Sequence, residues 1–253
     1  MDGRVAGLSP PAFRSGSDGF RAVVFDCDST LASVEGIDEL AGDRADEIAA
    51  LTDAAMRGKV ALEEVYGRRL ELIRPTTAQV EALGRLYVER LVPDARETVA
   101  ALLWLGKEVR VISGGLRPPV AVLARELGIP ATAVAAVGID FDAAGNYAGF
   151  EGDSPLARSG GKADVIRQWS LPRPSLMVGD GATDLEARPE VDCFVAYMGV
   201  AYREAVASGA DIVLRDPSLA PVLSIASSSA DRERLGRSPW RDLLKRADAL
   251  LDR

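Results

Sequence analysis

Six short runs constrain this chain more than anything else in it: "RAVVFD" from residue 21, "KEVRVIS" from 107, "TAVAAV" from 132, "SLMVGD" from 175, "DCFVAY" from 192 and "ADIVL" from 210. Each is apolar through its middle and bounded by turn residues or charges, as strands are, and helical periods separate most of them. Strands that alternate with helices imply an α/β fold, a doubly wound Rossmann-like parallel sheet. With 253 residues, 47% of them hydrophobic, the chain is long enough to bury a full core and carry an inserted element.

Residues 43–90 interrupt the alternation. They keep a helical period throughout, punctuated at Gly58 and Pro75, and imply a small helical cap over residues 32–93, inserted after the first strand. The core is then residues 21–31 and 94–222. Within it "VGIDFDAAGNYAGF" reads as a β-hairpin around Gly145 and Asn146. Residues 1–20, rich in Gly, Pro and Ser, read as a loose tail. Residues 223–253 read as a Ser-rich linker followed from about Pro239 by an amphipathic helix, with Trp240, Leu243, Leu244, Ala247 and Leu251 on one face, for docking against the core or a second subunit.

Composition narrows the chemistry. The chain has no histidine, which removes Ser-His and Cys-His nucleophiles and the usual zinc sites, so catalysis must rest on carboxylates, Lys, Arg and hard metal ions. Its two cysteines, Cys27 and Cys193, have no metal-site spacing and suit a reducing cytoplasm. The net charge of -8 offers no footprint for nucleic acid or an anionic membrane, and no run reaches membrane-spanning length. The expectation is a cytoplasmic monomer or homodimer.

In a doubly wound sheet, ligands bind beyond the carboxyl ends of the strands. The residues found there are Asp26 and Asp28 after the first strand, Ser113, Gly114 and Gly115 after the second, and Gly179, Asp180, Gly181 and Asp184 after "SLMV". Lys162 stands at a helix start between the last two groups. Adjacent carboxylates resist being ionised together unless a cation neutralises part of the charge, and Mg2+ takes a few carboxylates together with waters and phosphate. Asp26 and Asp180 are natural ligands. A carboxylate can also attack phosphorus while a protonated neighbour serves the leaving alcohol; a serine hydroxyl, a glycine amide and a lysine can hold the phosphate.

The ordered motifs "DCDST", "ISGG", the Lys of "GGKADVI", and "GDGATD" resemble those of the haloacid dehalogenase superfamily of phosphotransferases. More narrowly, "EGIDELA", "AMRG", "RRLELI" and "NYAGF" followed by "SGGKADVI" are similar to the phosphoserine phosphatase family, over residues 22–216. The resemblance implies Mg2+-dependent hydrolysis of O-phospho-L-serine through an aspartyl-phosphate, the last step of serine biosynthesis. It makes Asp26 the nucleophile and Asp28 the acid and base, whose backbone carbonyl also meets the metal. Asp180 completes the metal site, Ser113, Gly114 and Lys162 hold the phosphoryl group, and Asp184 orients Lys162 and a metal-bound water. Glu35 matches the partner of the substrate ammonium, Arg69 that of its carboxylate, and Met56 and Thr183 match further substrate contacts. Leu62 and Leu116 depart from the phenylalanines common there.

Plainer readings stand beside these. Asp-x-Asp at a strand end also serves as a turn or cap, Lys162 as a surface lysine, Glu35 as a helix-dipole partner, Arg69 as a helix-surface partner of Glu63 or Glu64, and Met56 as core packing. The same core would also suit another small phosphorylated metabolite, a phosphotransferase, or a non-catalytic sensor.

Overall fold

The computed structural model describes residues 19–56 and 62–252, without the side chains of residues 49, 52–56, 62 and 63. Most of the expected tail, the Gly58 break, and the side chains of Met56 and Leu62 lie outside the described residues.

Strand β1 (Ala22–Phe25) is buried along its whole length. Beside it run β2 (Glu108–Leu116) and, beyond that, β3 (Val134–Val137); on its other side follow β6 (Ser175–Gly179), β7 (Cys193–Tyr197) and β8 (Ile212–Leu214), giving a six-stranded sheet in the order β3-β2-β1-β6-β7-β8. All five pairings are parallel. Parallel strands need covered faces, which is why β1, β6 and β7 read as continuous apolar runs and are buried at every residue. The chain leaves β1 toward β2 and β3, then returns to the other side at β6. The topological switch therefore lies at β1, where such sheets open a crevice for ligands. The hairpin forms from β4 (Ile139–Phe141) and β5 (Tyr147–Phe150), paired antiparallel.

Four helices separate β1 from β2 ahead of α5 (Ala95–Trp104): α1 (Gly36–Glu39), α2 (Ala45–Met56), α3 (Leu62–Ile73) and α4 (Thr77–Glu89). Pro75 falls in the break before α4, whose start is fixed by a capping box between Thr76 and Gln79. Helix α4 packs on α6 (Arg117–Glu126), the crossover from β2 to β3. Their approach is close: a Cβ at Gly84 would come within 3.1 Å of Val122 Cγ2. The remaining crossovers are α7 (Gly161–Trp169), α8 (Ala182–Glu186) and α9 (Glu204–Gly209).

The stretch expected to be a linker is folded. Residues 221–236 form α10 (Pro221–Ala226) and α11 (Ser229–Gly236), and Val222, Leu223 and Ala226 are fully buried. The serines are satisfied locally rather than left for water: Ser227 Oγ donates to the Leu223 carbonyl at 2.7 Å, and Ser228 and Asp231 cap α11 reciprocally at 3.0 Å. The terminal helix α12 (Arg241–Leu251) packs on α10 and α11 of the same chain through Leu243, Leu244 and Ala247, while Leu251 at its end is exposed.

Candidate active site

Beyond the carboxyl end of β1 the chain turns sharply. The amides of Leu31 and Ala32 fold back on the Cys27 carbonyl at 2.9 and 3.0 Å, and Ser29 adopts a left-handed φ of 52°. A non-glycine residue held there marks a turn that its surroundings enforce. The turn separates the two aspartates. The Asp26 amide continues the ladder to the Val178 carbonyl at 2.9 Å, and its carboxylate meets the first turn of α7. Asp28 instead faces α1 and α4.

Lys162 unites the first group. Its ammonium donates to Oδ1 of Asp26 and to Oδ1 of Asp184, each at 2.6 Å, with all three side chains less than a tenth exposed. Carboxylate oxygens of Asp26, Asp180 and Asp184 lie within 4.8 Å of one another. Burial first, then the charges of Asp184 and Asp28, push Asp26 up to about 8, with Lys162 pulling the other way. Lys162 itself is held above the ordinary lysine value: burial opposes its charge, but Asp184 and Asp26 more than offset that. Three buried carboxylates facing the Lys162 ammonium and the Arg203 guanidinium are still short of positive charge, and hard oxygen donors this close suit a divalent cation. Asp184 is already engaged through both oxygens, since Oδ2 accepts from the Gly181 amide at 2.9 Å. Asp180 accepts from Thr30 Oγ1 at 3.2 Å and forms an ion pair with Arg203, in the loop after β7.

The second group surrounds Asp28. Its Oδ1 accepts from the Tyr87 hydroxyl at 2.5 Å and from the Gly36 amide at 2.7 Å, and Oδ2 from Ser113 Oγ at 3.3 Å. The Gly115 amide donates to Ser113 Oγ at 2.9 Å. Burial, followed by the Glu35 charge, raises Asp28, while the Tyr87 and Gly36 hydrogen bonds work against the rise. Gly114 is half-buried, as is Thr183 in the first turn of α8.

The helical insertion supplies Glu35 and Arg69. Glu35 precedes α1 and is exposed, with Oε1 accepting from Ser29 Oγ at 2.7 Å and from Arg203 at 3.2 Å. Arg69, on α3, is paired with Asp38 and has a buried Nε with no hydrogen-bond partner. Tyr66, one turn earlier, is 6% exposed with its hydroxyl likewise unpartnered, and its ring lies 5.3 Å from that of Phe150.

Asp26, Asp180, Asp184 and Lys162 thus come together, as do Asp28 and Ser113, and Glu35 and Arg69 stand on the insertion. Met56 lies on α2 with its side chain outside the described residues. Sequence reasoning missed Thr30, Tyr66, Tyr87 and Arg203. Arg203 follows a strand's carboxyl end and was open to the same rule that found Asp180; a tyrosine on a helix reads simply as core.

The sequence model described as haloacid dehalogenase-like hydrolase matches residues 20–192. Phosphoserine phosphatase of Bos taurus is 40% identical over 200 residues, 77% of this chain and 89% of its own length. The chloroplastic phosphoserine phosphatase of Arabidopsis thaliana is 42% identical over 197 residues, 75% of this chain and 67% of its own. A substrate-bound phosphoserine phosphatase structure superposes with a TM-score of 0.71 at 24% identity, covering 82% of this chain and 99% of that one, a likeness of fold. With a family match spanning β1 to the loop before β7 and relatives this similar along most of the chain, the protein belongs to the haloacid dehalogenase-like hydrolase family, among its phosphoserine phosphatases.

Proposed function

We propose that the protein is a Mg2+-dependent phosphoserine phosphatase that hydrolyses O-phospho-L-serine to L-serine and phosphate, closing serine biosynthesis. The observation that carries this reading is the pair of groups around one crevice: a lysine-clamped acidic cluster at Asp26 and a separately held carboxyl at Asp28. Similarity to phosphoserine phosphatases supports the choice of substrate.

Asp26 attacks phosphorus, and Lys162, Ser113 and the Gly114 amide take up the charge of the phosphoryl oxygens. Asp28 gives its proton to the departing seryl oxygen, then accepts one from the water that hydrolyses the aspartyl-phosphate. Asp26, Asp180 and the Asp28 carbonyl would hold Mg2+, which supplies the positive charge the cluster lacks. Asp184, with both oxygens engaged, orients Lys162. A zwitterionic amino acid presents one charge of each sign, and Glu35 and Arg69 on the insertion answer them, Arg69 with the fork suited to a carboxylate. Thr183 and Met56 complete the contacts.

Cys27 and Cys193 are buried and unbridged, in keeping with a cytoplasmic protein, and no described helix is long and apolar enough to cross a membrane. Every candidate residue belongs to one chain, so a monomer or a homodimer serves equally.

The test is phosphate release from O-phospho-L-serine, phosphothreonine, phosphohomoserine and p-nitrophenyl phosphate, with Mg2+ or EDTA and with Asp26→Asn as control. A Mg2+-dependent and Asp26-dependent preference for phosphoserine is expected. Equal turnover of all four would sink the substrate assignment, and no turnover would sink the enzyme.

A further inference from the structure

Oδ1 of Asp28 is saturated. The Tyr87 hydroxyl and the Gly36 amide both donate to it, at 2.5 and 2.7 Å. A proton on that oxygen would face two donors, so the acidic proton of Asp28 belongs on Oδ2. The group beside that oxygen, Ser113 Oγ at 3.3 Å, is a hydroxyl that can turn to accept as well as donate, which the Gly36 amide on Oδ1 cannot.

The chain keeps this corner free of other atoms. A Cβ at Gly36 would lie 2.0 Å from the Tyr87 hydroxyl and 3.2 Å from Asp28 Oδ1. One at Gly115 would lie 2.9 Å from Asp28 Oδ2 and 3.4 Å from the same hydroxyl. The phenol reaches its place from α4, which is held by α6, and Tyr87 is fully buried. Its position is therefore fixed by the packing of α4 on α6.

We propose that Tyr87 is a positioning residue for catalysis: with the Gly36 amide it pins Oδ1 of Asp28 and so presents Oδ2 as the oxygen that exchanges protons with the leaving alcohol and the attacking water. This rests on the reading of Asp28 as acid and base. In the first step the Asp26 oxygen bonds to phosphorus, the bond from phosphorus to the seryl oxygen breaks, and its electron pair takes the Oδ2 proton to give the serine hydroxyl. Asp28 is left as a carboxylate whose charge the two donors at Oδ1 stabilise. In the second step a water oxygen bonds to phosphorus, its proton passes to Oδ2, and the bond from phosphorus to Asp26 breaks with its electron pair returning to Asp26.

A buried tyrosine also needs a partner for its hydroxyl simply to fold, so the test must separate orientation from packing. For Tyr87→Phe, kcat/KM is measured with O-phospho-L-serine, whose alkoxide must be protonated as it leaves, and with p-nitrophenyl phosphate, whose phenolate leaves without a proton. The expected result is a fall of about tenfold or more for phosphoserine, part of the roughly 10²–10⁴-fold that general acid catalysis supplies, and little change for p-nitrophenyl phosphate. Gly36→Ala, which pushes the phenol aside, gives the same signature. Equal losses for both substrates, or no loss for either, overturn the proposal. Asp28→Asn is the control: if it shows no leaving-group dependence, the acid reading of Asp28 fails; if it does and Tyr87→Phe does not, Tyr87 alone is wrong.

Discussion

The Lys162 ammonium lies 2.6 Å from Oδ1 of Asp26, across 136 residues of sequence. The contact ties the first turn of α7 to the end of β1, the strand where the topology reverses. It also puts the charge that would meet a phosphoryl group directly against the carboxylate that would attack it. The lysine side chain is only 6% exposed, so water screens its charge little.

Replacing Lys162 removes the cation that contacts the buried carboxylates of Asp26 and Asp184. Lys162→Met should cost about 3–5 kcal/mol, as for other broken buried pairs, and lower the melting temperature by about 10 °C in a chain of this size. Added Mg2+ should narrow the gap, because a divalent cation restores positive charge among Asp26, Asp180 and Asp184. Differential scanning fluorimetry with Mg2+ and with EDTA reads both effects. A variant that melts with the parent in EDTA would contradict the buried-pair account.

All six sheet strands and the hairpin were legible in the sequence: β1, β6 and β7 as runs buried at every residue, the others as short, partly buried apolar runs set between turn residues or charges. Asp26 and Asp180 were legible for the related reason that ligand residues follow the ends of those runs; Ser113, Gly114 and Gly115, expected just after the second strand, instead lie within β2, which runs on to Leu116. Tyr87 was not legible, because its partner lies 59 residues away and only the packing of α4 on α6 brings the two together. The serines at 227 and 228 misled in the opposite sense. Serine favours loops and helix caps for the same hydrogen-bonding reason, and the sequence did not say which applied.

Arg69 is paired with Asp38 through one guanidinium nitrogen, so a substrate carboxylate taking both tines of the fork, as proposed, would compete with that partner. Asp38 is half exposed, and exposed pairs of this kind are worth about 0.2–1 kcal/mol. Asp38→Asn should therefore lower KM for O-phospho-L-serine, by up to about fivefold on that scale, with kcat unchanged. Arg69→Ala should raise it. Steady-state kinetics on both variants checks the pair, and an unchanged or higher KM in Asp38→Asn would show that Arg69 does not have to leave Asp38 to bind substrate.

The terminal helix is held by burial remote from the crevice. Leu243 on α12 is 4% exposed against α10. Leu243→Ala should cost about 2–4 kcal/mol, the usual loss for a core leucine, and leave kcat and KM as they were. Urea denaturation beside phosphate-release assays gives both numbers; a change in KM without a change in stability would mean that α12 serves the site rather than the fold.

The same helices should be sensitive to acid. Asp94 accepts from Arg246 and Ser218, Asp231 from Lys107 and the Ser228 amide, and Asp248 from Arg232 and Ser224. Burial alone would raise these carboxyls, but the hydrogen bonds and charges win and all three are lowered. A carboxylate with a folded pKa below its unfolded value binds fewer protons when folded. Its contribution is complete above the unfolded value, near 3.9, and disappears as the pH falls through the folded one. Stability should therefore hold on the neutral side and fall across roughly pH 5 to 2, with α11 and α12 losing amide protection early. Asp94→Asn should flatten part of that slope. Hydrogen exchange at a series of acid pH values follows the loss helix by helix, and protection in α11 and α12 that outlasted the sheet would refute the role given to these three carboxylates.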